Sequence, residues 1–184
     1  MSTSYSGTLV GITEYNWGAE NHINGATTQA DVFGIFGREG LDMAARWATP
    51  GASTPTYKAM KMYRNYDGNK STFGETSVAA TTPNPDAVSA FAAIRTTDAA
   101  LTVMVINKQL STSPVSTINL STFAHRGMAQ VWQLTASNVI THLPDVTVSG
   151  TTLVTTLPAQ SITLFVIPKI ASPPTPPTNL RIVR

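Results

Sequence analysis

The stretch Ile12-Thr13-Glu14-Tyr15-Asn16-Trp17-Gly18 decides the fold class of this chain. It completes a short, mostly apolar run that begins at residue 9, and it ends on a carboxylate, two aromatic rings and an amide. A buried strand that ends on such side chains is typical of barrels with alternating strands and helices, in which the catalytic groups lie at the carboxyl ends of the parallel strands. The pattern therefore predicts a catalytic role for Glu14, with a solvated loop carboxylate as the alternative.

A helix is expected after the polar loop that follows this strand. Residues 27–38 carry a helical apolar pattern, and Thr27 or Thr28 could cap its start. Asp31 would then lie in the first turn, close to the positive end of the helix dipole, and Gly40 would end the helix.

A second strand and a second helix follow. Residues 41–47 form a short apolar segment that ends on Arg46 and Trp47, so it matches the first strand in kind. A helix is expected over residues 56–66, with Pro55 at its first position. Strand, helix, strand and helix in this order imply right-handed crossovers and parallel pairing. The pattern up to about residue 67 therefore predicts the closing quarter of a larger barrel.

The composition changes after residue 69 to Thr, Ser, Val and Ala in short alternating runs. Eight short strands are expected, at residues 76–81, 88–95, 101–107, 115–120, 129–134, 146–148, 153–157 and 162–167. Strands of this length and spacing predict an all-β sandwich. Alternation along the strands predicts an inward-facing set that comprises Phe91, Ala93, Val103, Val105, Ile118, Val131, Leu164 and Val166.

Composition excludes several classes of function. Twelve Lys and Arg against ten Asp and Glu leave a formal charge of +2 without a basic cluster, so we expect no nucleic-acid partner. No apolar run approaches the roughly 20 residues that span a bilayer, so we expect no membrane partner. The chain has no Cys, and its His residues lack companions at metal-ligand spacing. We therefore predict no metal site in the active centre and no required cofactor, and leave a structural metal ion open.

Four motifs, at residues 12–25, 29–31, 35–40 and 45–47, together resemble glycoside hydrolase family 44. Those enzymes are endoglucanases and xyloglucanases with a (β/α)8 barrel and an accompanying β-sandwich. The resemblance implies a partial (β/α)8 barrel, consisting of its last two βα units, followed by an all-β sandwich. The expected boundaries are 1–67 for the end of the barrel, 68–170 for the sandwich, and 171–184 for a Pro-rich linker and the start of a fibronectin type III module.

The resemblance also implies a retaining mechanism with two carboxylates, in which the Thr-Glu-Tyr-Asn-Trp-Gly motif carries the nucleophile. By position, that role falls on Glu14. The resemblance places the acid/base in an Asn-Glu segment on an earlier strand, and no Asn-Glu dipeptide occurs in this sequence. We therefore expect the C-terminal part of a secreted endo-β-1,4-glucanase, with a β-glucan as substrate, that is inactive without the missing barrel portion.

Five side chains near the nucleophile are candidates for substrate binding, because aromatic rings stack on pyranose faces and polar groups bind sugar hydroxyls or orient the carboxylate. The candidates are Tyr15, Asn16, Trp17, His22 and Trp47. A structural role is the alternative for each of them. Glu20 lies six residues past Glu14 and is left open as a substitute second carboxylate.

A second hypothesis makes the chain a non-catalytic carbohydrate-binding or spacer module, with the sandwich as its stable part. A row of exposed aromatic side chains on one sandwich face would favour this hypothesis. The aromatic residues expected there, Phe91, Phe123, Trp132 and Phe165, are few and scattered along the sequence. The enzyme hypothesis is therefore preferred.

Overall fold

The computed structural model describes residues 7–170, which contain two helices and ten strands. The first four elements are β1 (Gly11–Tyr15), α1 (Ile23–Arg38), β2 (Met43–Arg46) and α2 (Pro55–Arg64). The strands that follow are β3 (Thr76–Val78), β4 (Val88–Ile94), β5 (Leu101–Asn107), β6 (Val115–Asn119), β7 (Met128–Leu134), β8 (Ile140–Thr147), β9 (Thr152–Thr156) and β10 (Ser161–Ile167). The expected Pro-rich linker at 171–184 lies outside the described residues.

Strands β1 and β2 pair in parallel, as the order of strands and helices predicts. Their register runs from Gly11 opposite Met43 to Tyr15 opposite Arg46, with a shift between Ile12 and Tyr15. The shift places one more residue in β1 than in β2, which is the signature of a β-bulge. The bulge spans the segment that contains Glu14.

Helix α1 begins one turn earlier than the sequence pattern predicts. Its N-cap is His22, whose Nδ1 accepts a hydrogen bond from the backbone N–H of Asn24 at 3.1 Å. The prediction of a cap at Thr27 or Thr28 is therefore wrong, because both hydroxyls donate back to the Asn24 carbonyl inside the helix. Asp31 consequently lies in the middle of α1 and not in its first turn.

Helix α2 is close to its prediction, with Thr54 as N-cap and Pro55 at the first helical position. The two helices pack on each other, and the Tyr63 hydroxyl donates a hydrogen bond to the carbonyl of Ala30 at 2.8 Å. Burial of this phenol raises the pKa of Tyr63. No helix among residues 7–170 has the length and hydropathy that a bilayer span requires.

The eight later strands form two antiparallel sheets of unequal size. Six strands have the order β3-β4-β5-β10-β7-β8, and the other two, β6 and β9, pair with each other. Most boundaries agree with the predicted ones to within one or two residues, whereas β3 is shorter and β8 begins six residues earlier than predicted. Strand β8 contains Pro144, which weakens its sequence signal but is tolerated because β8 lies at the edge of the sheet.

The six-stranded sheet is a middle layer with both faces covered. One face packs against α1 and α2, and the other packs against β6 and β9. Strands β5 and β10 are buried at every residue for this reason. The predicted inward-facing residues are buried, except for Ile118, which is partly buried. They are divided between two cores: Phe91, Leu164 and Val166 face the helices, whereas Val103, Val105 and Val131 face the small sheet.

Strands β1 and β2 contact α1 on one face, through Tyr15 and Arg46. Leu9, just before β1, is 76% exposed, Met43 in β2 is 56% exposed, and most other residues of both strands are also accessible. The apolar run that begins at residue 9 and the apolar segment 41–47 are therefore largely accessible, because none of the described residues covers the face opposite α1. The apolar composition of these strands is nevertheless that of a buried sheet.

Candidate active site

Glu14 is the next-to-last residue of β1, at the carboxyl end of the parallel pair. Its side chain is exposed and takes part in none of the ion pairs found among residues 7–170. The neighbouring Tyr15 is buried, with its ring edge-on to Phe36 and its hydroxyl accepting a hydrogen bond from Gln29 Nε2 at 3.1 Å. A β-bulge changes the direction in which side chains point and is common next to active sites. The bulge in β1 lies where Glu14 is exposed and the neighbouring Tyr15 is held in the interior.

Arg46, at the end of β2, holds the strand ends and the first loop together. Its side chain is only 6% exposed. Its guanidinium donates to Gln29 Oε1 at 3.2 Å, to Asn16 Oδ1 at 3.0 Å and to Glu20 Oε1 at 2.7 Å. It also donates to the carbonyl of Ala48 at 2.6 Å. A planar guanidinium can donate to acceptors in several directions at once, so this one side chain of β2 connects α1, the loop after β1 and the loop after β2.

Glu20 is the counterion of this arginine. The hydrogen bond from the Arg46 guanidinium holds the pKa of the Glu20 carboxyl below its ordinary value. A general acid in glycoside hydrolysis needs the opposite shift, because it must carry a proton at working pH. The geometry therefore gives Glu20 a structural role and disfavours it as the substitute second carboxylate.

Trp17 and Trp47 are the two large exposed rings at this end of the strands, with 53% and 61% of their surfaces accessible. The backbone N–H of Trp47 donates to the carbonyl of Tyr15 at 2.8 Å, so the two strand ends that carry these rings lie side by side. Two accessible rings on neighbouring strand ends form an exposed aromatic surface, and flat rings suit the faces of pyranose sugars.

Asn16 and His22 occupy the loop between β1 and α1. The Asn16 side-chain oxygen accepts from Arg46 and from the Gly18 backbone N–H, so this amide shapes the loop. His22 caps α1 through Nδ1, which accepts from Asn24, and its ring is exposed, so Nε2 is accessible for a hydrogen bond to a ligand. The structure thus gathers Glu14, Asn16 and both tryptophans at one end of β1 and β2, buries Tyr15, and places His22 at the start of the helix.

Two residues of this network, Arg46 and Gln29, were not among the predicted site residues. The sequence could have indicated a site role for Arg46, since it stands next to Trp47 at the end of an apolar segment. Gln29 had no such signal, because a polar residue in an amphipathic helix is ordinarily assigned to the solvent face. Among residues 7–170, no group of three or more metal-ligating side chains lies close enough together to hold a metal ion.

Comparison with known proteins identifies the family. No protein-family model matches the chain. It is 34% identical over 164 residues to endoglucanase A of Paenibacillus lautus, a match that covers 88% of this chain and 23% of that protein. CelM2, a bifunctional glucanase-xylanase from a metagenome library, is 71% identical with a TM-score of 0.90, over 91% of this chain and 32% of CelM2. A family 44 xyloglucanase of Paenibacillus polymyxa is 31% identical with a TM-score of 0.84, over 91% of this chain and 33% of that one.

The chain belongs to glycoside hydrolase family 44. The resemblance read from the sequence motifs is thereby confirmed. This family 44 chain spans between about a quarter and a third of the length of the relatives it matches. It is mostly β-sheet with two helices in its described part, which is the architecture of part of a family 44 enzyme.

Proposed function

We propose that the chain supplies the nucleophile side of a retaining endo-β-1,4-glucanase, with Glu14 as the nucleophile. The observation that carries the proposal is an exposed carboxylate at the carboxyl end of a parallel strand, with the exposed rings of Trp17 and Trp47 on the adjoining strand ends. Relatives named as endoglucanases, a xyloglucanase and a glucanase-xylanase support a β-glucan as substrate. We assign residues 1–67 to the end of a (β/α)8 barrel and 68–170 to the sandwich.

The proposed reaction has two steps. The Glu14 carboxylate attacks the anomeric carbon, and an acid/base protonates the departing glycosidic oxygen as the bond to carbon breaks. The same acid/base then takes a proton from water, whose oxygen displaces Glu14 from the glycosyl ester. The two carboxyl groups must lie about 5 to 5.5 Å apart for this chemistry. We place the acid/base in the part of a family 44 enzyme that this chain does not match, so the chain alone is inactive and works with that part in a secreted enzyme.

The test measures hydrolysis with and without the missing part. The purified 184-residue chain is expected to release no reducing sugar from carboxymethylcellulose or xyloglucan. Production together with the part of the CelM2 chain that it does not match should yield an active complex. Glu14→Gln should lower the turnover of that complex by a factor of about a thousand or more, because the nucleophile is lost.

The matched control is Glu39→Gln, since Glu39 is a second exposed glutamate, located at the C-cap of α1 and paired with Arg38. It should leave turnover unchanged. An active complex that keeps its turnover after Glu14→Gln would disprove the assignment of the nucleophile. Hydrolysis by the chain alone, abolished by Glu14→Gln, would disprove its incompetence.

The binding-module alternative has less support from the described aromatic residues of the sandwich. Phe91 and Phe165 are buried, and Trp132 packs between Tyr66 and His142. Retardation in glucan affinity gels that persists after replacing Trp17 and Trp47 by alanine would revive this alternative. Retardation that disappears with those two rings is expected under the enzyme proposal.

A further inference from the structure

The two layers of the sandwich do not match in width. The middle sheet has six strands, whereas the layer that covers its far face has only β6 and β9. Strand β9 runs beside β8, so the small sheet covers the half of the middle sheet that ends at β8. The half that ends at β3 is left without a covering strand among residues 7–170.

A groove of about 640 Å³ lies over this uncovered half. Its floor consists of aliphatic side chains from β4 and β5, including Ala92, Leu101, Val103 and Val105. One wall is β6 and the turn after it, and the opposite wall is the chain that continues from Val78 to Asn84. The floor residues Leu101, Val103 and Val105 are also part of the core under the small sheet, so the groove is a lateral extension of that core.

Two open strand edges border the groove. Strand β6 pairs only with β9, and β3 pairs only with β4, among the described residues. Six consecutive residues, 116–121, line the groove, so β6 presents its backbone edge there and not one set of alternate side chains. An edge of this kind offers unpaired N–H and C=O groups to an added strand.

The residue types that line the groove indicate which class of ligand it can bind. None of the described residues that line the groove is aromatic, and none carries a charge. A sugar chain would find no stacking platform here, and a phosphate or an acidic ligand would find no cation. Alternate apolar side chains of an extended polypeptide would fill the aliphatic floor, while its backbone paired with β6.

We propose that this groove receives an extended segment from the part of a family 44 enzyme that lies outside this chain, and that the segment pairs with the edge of β6. The source follows from length, because about two thirds of the CelM2 chain has no counterpart here although the matched third superposes at a TM-score of 0.90. The inference rests on the proposed function in one respect: it gives the missing part a second contact, on the sandwich, in addition to the open face of β1 and β2.

The test uses the full 184-residue chain and short overlapping peptides that tile the unmatched part of CelM2. Hydrogen exchange is measured along the chain with each peptide and with the co-produced unmatched part. One stretch of peptide is expected to slow exchange in Val115–Asn119 about tenfold or more. Proline at alternate positions of that peptide, or Asp at its apolar groove-facing positions, should abolish the protection without altering the chain itself.

A pair of chain variants on one strand provides the control. Ile118→Asp places a charge in the groove and should weaken peptide binding about tenfold or more, whereas Val115→Asp changes a side chain exposed on the outer face and should alter it less than twofold. Far-ultraviolet circular dichroism verifies that both variants fold. If Ile118→Asp does not fold, the peptide variants with proline or Asp test the same contact on the unaltered chain.

Each other outcome overturns the inference. Absence of Val115–Asn119 protection with every peptide and with the unmatched part would do so. Protection confined to β1 and β2 in an active complex would refute the groove while leaving the proposed function intact. Protection that depends on chain concentration, on cello-oligosaccharide, or on residues 171–184 would assign the groove to a second copy, a sugar or the chain's own C-terminal segment.

Discussion

Arg46 is the residue on which the local geometry of the candidate site most depends. Its guanidinium is the common donor to Asn16, Glu20 and Gln29, of which the first two lie in the loop between β1 and α1 and the third lies in α1. Because Gln29 is buried, removing its donor leaves an unsatisfied amide oxygen in the interior. The arginine therefore positions the loop that follows Glu14 without itself needing to touch a substrate.

Arg46→Ala is expected to destabilise the fold, with the loss at Gln29 alone contributing about 1–3 kcal/mol. Arg46→Lys should recover only part of this, because an ammonium cannot reach the same set of acceptors in one plane. The free energy of unfolding in urea measures both. Arg38→Ala is the matched control, since its pair with Glu39 is solvent-exposed and should contribute less than about 1 kcal/mol. Equal losses at Arg46 and Arg38 would contradict the positioning role.

Glu75 gives the fold a predictable dependence on pH. The Thr96 backbone N–H and hydroxyl each donate to Glu75 Oε2 at 2.9 Å, and these bonds hold the pKa of Glu75 below its ordinary value of 4.5. A carboxyl whose folded pKa is depressed stabilises the fold fully above the unfolded pKa, and this contribution is lost as pH falls through the folded pKa.

Glu75→Gln should therefore lower the urea midpoint by a constant amount at pH values well above 4.5, and by progressively less as pH falls below that value. Thr96→Val removes one of the two donors and should give a smaller effect in the same pH range. If the urea midpoints of the wild type and Glu75→Gln differed by the same amount at every pH, including pH values well below 4.5, the charge of the Glu75 carboxylate would not be involved.

Helix α1 sits unusually close to the middle sheet at Gly34. A Cβ built at this position would lie 2.1 Å from Cδ2 of the Phe91 ring. The glycine thus allows close approach of helix and sheet, and the lower helix propensity of glycine is the cost of that contact. Gly37 lies one turn later in the same helix, and a Cβ there would meet nothing within 4 Å.

Gly34→Ala is expected to destabilise the protein by about 1–3 kcal/mol, because the Phe91 ring and the helix must move apart. Gly37→Ala should instead stabilise it by up to about 1 kcal/mol through helix propensity alone. Thermal unfolding of the two single variants tests the pair. If both variants changed the stability in the same direction, packing against Phe91 would not be what requires glycine at position 34.

Elements with a strong local signal were predictable from the sequence, and those shaped by the tertiary structure were not. Strand β5 was placed to the residue, because its apolar run stands between clear turn residues. The start of α1 was missed because His22 acts as the cap, a role that Ser, Thr, Asp and Asn fill far more often. Strand β8 was cut short in the prediction because its polar residues and Pro144 are tolerated only at a sheet edge.

At the scale of the whole molecule, the open face of β1 and β2 is the clearest departure from a self-contained fold. Its apolar side chains are accessible although their composition suits a covered sheet, and both strands have an unpaired edge among residues 7–170. Such faces associate with other protein surfaces unless they are covered. The isolated chain is therefore expected to self-associate through this face.

Replacing Leu9 and Met43 together by lysine should weaken self-association about tenfold or more in sedimentation velocity experiments. Leu9 lies just before β1, and Met43 is the first residue of β2. Leu110→Lys is the matched control, because Leu110 is about as accessible as Leu9 but follows β5, in the other part of the fold. Unchanged association in the double variant would mean that another surface is responsible. In the co-produced complex, the same double variant should also impair assembly with the unmatched part of CelM2.

The sequence by itself determined the family, the order of the elements and the place of Glu14 at a strand end, because periodicity, turn residues and motif spacing are local properties of the chain. Only the tertiary structure decided that the six-stranded sheet has two covered faces, that Arg46 and Gln29 tie the site together, and that a groove opens beside β6. These features depend on which residues distant in sequence meet in space. No local pattern records which layer covers which face of a sheet, or which buried polar group finds its partner.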